Sequence, residues 1–149
     1  MCLTAILFRT VRFRQAEASF NGKAFRLDIA DSFPKKMLGL MHRKHIKPDE
    51  GMLFDFGSPG RYDIWMLNMK FPIDIIWLDK DARIIKIDAN AEPCTSILSC
   101  RAHASPENAM YVVELASGAA KSSGMKNGSR FILPNIKGFH GKYPKDNHA

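Results

Sequence analysis

No apolar run in the 149 residues approaches the roughly 18 that a membrane-spanning helix needs. The chain also lacks an HExxH pair, a Cys/His cluster, a P-loop, a dinucleotide fingerprint and a nucleophile elbow. Zincin, nucleotide-binding and α/β-hydrolase chemistry therefore have no sequence support, and no cofactor is called for. Internal repeats, heptads and low-complexity segments are missing too, which excludes solenoids and coiled coils. Cysteine is scarce, at three residues. Cys2 stands alone, and Cys94 and Cys100 are too far apart for a CxxC redox motif. In an oxidising compartment that pair would close a loop as a disulfide, and in the cytoplasm it would be two quiet thiols. The N-terminus has no basic residue before Leu3–Phe8, and that apolar segment is short of the about 7–15 residues of a secretory signal. That points to a cytoplasmic protein. The Arg-rich, acid-poor start also has the composition of an organellar presequence.

What is present suits one globular domain. Hydrophobic residues make up 46% of the chain and aromatic residues 10%, enough to build a core. The net charge of +7 invites a nucleic-acid reading. Its distribution argues against one, because the flanks 1–23 and 135–149 hold +5 of it and the residues between are nearly balanced. Basic flanks are more often solvated tails than recognition surfaces. The expected organisation is a basic extension over 1–23, a β-rich domain over 24–134 and a basic tail over 135–149. The expected state is a monomer.

Hydrophobic periodicity gives the elements. Asn21-Gly22 is a turn signal, and Phe25, Leu27 and Ile29 then alternate with polar residues as in a half-buried strand. Asp31 or Ser32 can cap a short helix that carries Met37, Leu38, Leu40 and Met41, followed by a basic loop, His42–His45. Met52–Phe56 reads as a strand. Ile64–Leu67 and Ile73–Leu78 are apolar runs around Trp65 and Trp77, expected to be the most buried strands. Asp79–Ala82 should join the second run to an alternating strand in a β-hairpin. A loop over 89–108, a strand at Met110–Leu115, small-residue helix material over 116–123 and a last strand at Arg130–Leu133 complete the pattern. Several short strands with one or two helices predict a mainly β fold, a small antiparallel sandwich or a partly closed barrel.

Five residues are candidates for a site. Asn68, between methionines, would be either a ligand hook or a turn former. Asp74 and Glu114 lie in apolar strands, where carboxylates are rarely left unpaired. Converging within about 5–9 Å they would suit hydrolytic chemistry. Paired instead with Arg43, Lys70 or Arg130, they would be structural. Trp65 offers an aromatic face for a groove, or a core filler. Thioethers at Met37/Met41 and Met66/Met69 could attract Cu(I), although methionine commonly fills irregular cores.

Several phrases in one order resemble a known family, domain of unknown function 192, also called uncharacterised protein family 0127. They are Gly39-Leu40-Met41-x-Arg43, Gly51-Met52-Leu53-Phe54-x-Phe56, Trp65-Met66-x-Asn68, Pro72-x-Asp74, and Val113-Glu114-Leu115 followed by Gly118 and Gly124. The chain departs from the family pattern at Leu67 and Met69, where Lys and Thr are favoured, at Ile73, where Leu is favoured, and at Ser129, where Asp is favoured. The resemblance implies a compact β-rich fold, often exported, with no settled activity. The function expected is that of a small binding or accessory module for a small polar ligand or a protein partner. Its site would be shallow, polar and formed by Arg43, Trp65, Asn68, Asp74 and Glu114. The alternative is a hydrolase using Asp74 and Glu114.

Overall fold

A computed structural model describes residues 11–135. Eight strands and two short helices follow in order: β1 (Arg14–Phe20), β2 (Lys23–Ala30), α1 (Phe33–Leu38), β3 (Glu50–Gly60), β4 (Asp63–Ile64), β5 (Ile73–Leu78), β6 (Ile84–Ala91), β7 (His103–Ala104), β8 (Ala109–Ala116) and α2 (Ala119–Ser122). Six strands form one sheet in the order β1-β2-β3-β8-β5-β6, and β4 pairs with β7 as a separate ribbon. The neighbours in the large sheet are antiparallel except β2 and β3. Joining two parallel strands requires a crossover rather than a tight turn, and residues 31–49 with α1 supply it. At the β1–β2 hairpin, Asn21 and Gly22 both take positive φ, as a two-residue turn demands.

Strand alternation gives the sheet two different apolar faces. On the inner face Phe25, Leu27, Leu53, Ile76, Val113 and Leu115 meet in one core, roofed by Ala119, Ala120 and Phe131. Glycine is needed at Gly51 because a Cβ there would run into the Glu114 carbonyl oxygen and the Leu115 and Leu27 side chains. Residues 128–132 then span from one sheet edge to the other. Phe131 N–H donates to the Ala82 carbonyl at 3.0 Å, and Ser19 and Ile132 exchange backbone hydrogen bonds of 2.8 and 2.9 Å. The fold is a partly closed barrel, with the C-terminal residues of the described chain as its closing stave.

The outer face carries a second core of Met52, Ile73, Ile75, Trp77 and Val112. All three long connections lie over it: residues 31–49 bring Leu40, residues 61–72 bring Ile64, Met66 and Met69, and residues 92–102 bring Cys94. The space they leave between them is the candidate site.

Two sequence-based expectations change. The folded unit begins well before residue 24, since Arg14–Phe20 is a full strand with Ala18 and Phe20 in the inner core. Residues 1–10 and 136–149 of the expected flanks lie outside the described residues. The two apolar runs also differ in fate. Ile73–Leu78 is buried at every position, as a central strand covered on both faces must be. The run at Ile64–Leu67 stays out of the large sheet, and Trp65 is 47% exposed.

Candidate functional site

Between the three connections lies a cleft of about 450 Å³. Met37 and Met41 line it from the α1 region, Trp65 and Leu67 from the second connection, and Ile97 from the third. Glu114 lines its floor. The walls are mostly apolar, with Lys36 and Asp63 as charged lining residues. This differs in character from the shallow polar site expected, because the methionines and leucines of α1 and its following loop cover the sheet without closing over it.

Glu114 sits on β8 in the middle of the sheet, level with Met52 of β3 on one side and Ile75 of β5 on the other. Its residue is 4% exposed, and no hydrogen bond among the described residues reaches its carboxyl group. A carboxylate withdrawn from bulk solvent with no protein donor is costly. Burial therefore pushes the Glu114 acid up from 4.5 to about 8, against a smaller opposing pull from the Arg43 charge. That shift favours the protonated acid at the floor of the cleft, a form that carries one O–H donor and a carbonyl acceptor.

Arg43 is held beside this group by Asp28, whose Oδ2 accepts from the guanidinium at 2.6 Å. The other Asp28 oxygen accepts from Gln15 Nε2 at 2.9 Å. The guanidinium also lies over the Phe13 ring, 5.6 Å from its centroid. Gln15, Asp28, Met52, Glu114, Ile75 and Asp88 form one row across five neighbouring pairings of the sheet, so the polar members share the outer face. Arg43 thus contributes to the electrostatics of the floor while its own charge is met by Asp28.

Asn68 and Asp74 stand elsewhere. Asn68 is exposed, has a φ of +60°, and occupies a turn in which Met69 N–H donates to the Met66 carbonyl at 3.3 Å. Its carbonyl receives His42 N–H at 3.3 Å, so its role is to shape backbone. Asp74 is 1% exposed and points to the inner face. Its Oδ1 accepts from Asn90 N–H and its Oδ2 from Ala120 N–H, each at 2.9 Å. Asp74 pairs in register with Leu115, one residue past Glu114. One residue along a strand is the opposite face. The two carboxyl groups are therefore on opposite sides of the sheet and do not form the paired acid of the hydrolase alternative.

Cys94 and Cys100 form a disulfide with Cα atoms 5.2 Å apart. The bonded loop carries Ile97, 69% exposed, and Leu98 beside it. Cys94 N–H donates to the Met66 carbonyl at 3.1 Å, which docks the loop against the Trp65 segment. Closing so short a loop should contribute about 2 kcal/mol. Reduction is expected to lower the melting temperature by several degrees while leaving the sheet folded, as read by thermal melts with and without dithiothreitol. Among the described residues no group of three or more His, Cys, Asp or Glu side chains is placed to hold a metal ion.

Comparison with known proteins agrees with this architecture. The model of domain of unknown function 192, DUF192, described as an uncharacterised ACR, matches residues 15–133. The chain belongs to the DUF192 family. A crystal structure from Sinorhizobium meliloti 1021, of a protein proposed to be a transcription regulator, is similar over 81% of this chain and 95% of its own, with 32% identity and a TM-score of 0.72. A protein of unknown function from Novosphingobium aromaticivorans DSM 12444 is similar over 83% of this chain and 89% of its own, with 26% identity and a TM-score of 0.76. No curated protein gives a match. In this DUF192 chain the structure brings Trp65 and Glu114 to one cleft, whereas Arg43 does not line it and reaches Glu114 only through its charge. Sequence reasoning missed Ile97 and Asp28. The available signal for Ile97 was an apolar pair, Ile97-Leu98, in a loop otherwise rich in serine, proline and cysteine. No sequence signal marked Asp28 as the partner of Arg43.

Proposed function

We propose that this DUF192 protein is a small binding module whose ligand seats in the cleft between Trp65 and Glu114, with an apolar body against the walls and one polar group at the floor. The observation that carries this reading is Glu114 itself. It is 4% exposed, has no hydrogen-bond donor among the described residues, and lines an otherwise mostly apolar cleft. A buried polar group left without a partner costs about 1–3 kcal/mol, a cost that a ligand atom can relieve. Ligand clefts typically combine apolar walls with a few such polar groups. A regulatory role, as proposed for the Sinorhizobium meliloti relative, is compatible with this reading, since a bound small molecule is what a sensor responds to.

Thermal-shift screening of amphipathic small molecules tests the reading. A ligand at about one hundred times its dissociation constant should raise stability by about 2.7 kcal/mol. Trp65→Ala, at a half-exposed rim position, should change the stability of the free protein by less than about 1 kcal/mol. It should abolish most of the ligand-induced shift. Hits whose shifts are the same in Trp65→Ala would put the binding site elsewhere.

A further inference from the structure

The cleft has an apolar body and a single polar end, so the identity of that end decides which ligands fit. Around Glu114 the neighbouring strands contribute Met52 and Ile75, neither of which can neutralise a charge. The charged groups near it are Arg43 and Asp28, paired with each other, and Lys36 of α1 and Asp63 of β4, which line the cleft. The positive charge that acts on Glu114 is that of Arg43.

We propose that Glu114 acts as a neutral carboxylic acid that pairs, through its O–H and its carbonyl, with a neutral group offering both an acceptor and a donor, so that the cleft selects apolar molecules ending in a carboxamide or an un-ionised carboxylic acid over amines. This rests on the cleft being the binding site, as proposed above. Two parallel hydrogen bonds satisfy both polar atoms of the acid without moving any charge into an apolar space. An ammonium ligand would instead require a buried ion pair, with both partners losing hydration. It would also approach a floor already under the field of Arg43. The raised proton affinity of Glu114 is consistent with the neutral form being present at physiological pH.

Three probes with one ring system separate the cases: 2-naphthamide, 2-naphthylmethylamine and 2-methylnaphthalene. Affinities are measured by ligand-observed NMR titration against the full chain at about pH 6.5 and about pH 9.5. The amide is expected to bind the native protein at least about tenfold more tightly than the amine at the lower pH, and to weaken about tenfold or more at the higher pH as Glu114 ionises. In Glu114→Gln, which keeps a donor and an acceptor but cannot ionise, amide binding should persist and lose its pH dependence. Tighter binding of the amine, or amide binding that ignores pH in the native protein, overturns the assignment. Equal binding of all three probes, abolished by Trp65→Ala, also overturns the role of Glu114 but leaves the cleft as the binding site. No binding by any probe, or binding unaffected by Trp65→Ala, overturns both.

Discussion

Glu114→Gln is expected to be more stable than the native protein at about pH 9, by about 3–5 kcal/mol, and equal to it at about pH 4. The acid is pushed from 4.5 to about 8 in the folded state. Between those values the unfolded chain has released the proton and the folded chain still holds it. The folded state therefore binds more protons, and its stability falls as pH rises across that interval. Above about 8 both states are ionised and the full penalty remains. Glutamine has the same shape and no charge, so it removes the pH-dependent part and nothing else. Denaturant titrations of both proteins at four or five pH values check it. A stability difference that does not change with pH would mean that Glu114 is solvated or paired in solution, and the account of the cleft floor would fail with it.

Asp74→Ala is expected to cost about 2–4 kcal/mol, since it strands the buried Ala120 N–H at about 1–3 kcal/mol, frees the partly buried Asn90 N–H at a smaller cost and leaves a void. Ala120 N–H belongs to the first turn of α2, whose N-cap Gly118 has no side chain to meet it. Asn90 N–H belongs to β6, so one carboxylate fastens a helix start and an edge strand to β5. Asp74→Asn keeps one acceptor but turns an amide N–H₂ toward the other donor, and should recover only part of the loss. Equilibrium unfolding gives the energies, and amide hydrogen exchange at Asn90 and Ala120 gives the location. Stability within about 1 kcal/mol of the native protein after Asp74→Ala would show that water replaces the carboxylate freely.

Much of the architecture was legible because it depends on local pattern. The unbroken apolar run Ile73–Leu78, the turn Asp79–Ala82 and the alternation that follows gave the β5–β6 hairpin directly. Strand β1 was hidden because its inward positions begin with Ala16 and Ala18, too small to register as alternation, inside a segment noted for its arginines. Asp74 and Glu114 looked equivalent, two acids in two apolar strands. Which face each occupies depends on the register between β5 and β8, a long-range property that neither strand encodes alone. The apolar neighbours of Trp65 predict a buried strand, while the indole itself fits either a groove or a core. Its run packs over the sheet rather than within it, and that leaves the indole at the rim. The cleft walls come from three separate connections, and loops carry no periodicity from which their meeting could be read.

The stave that closes the barrel has a consequence for how the chain acquires its structure. The bonds between Ser19 and Ile132 join nearly the two ends of the described chain. During synthesis β1 and β2 leave the ribosome early and can pair at once through their two-residue turn. The outer edge of β1 at Ser19 then stays unpaired until Ile132 emerges. Contacts of such sequence separation form late, because the loop they close must first lose its freedom. An open strand edge in that interval is a template for pairing with another chain. Gln15, Glu17 and the charged Arg14 along that edge give the nascent protein polar side chains there while it waits.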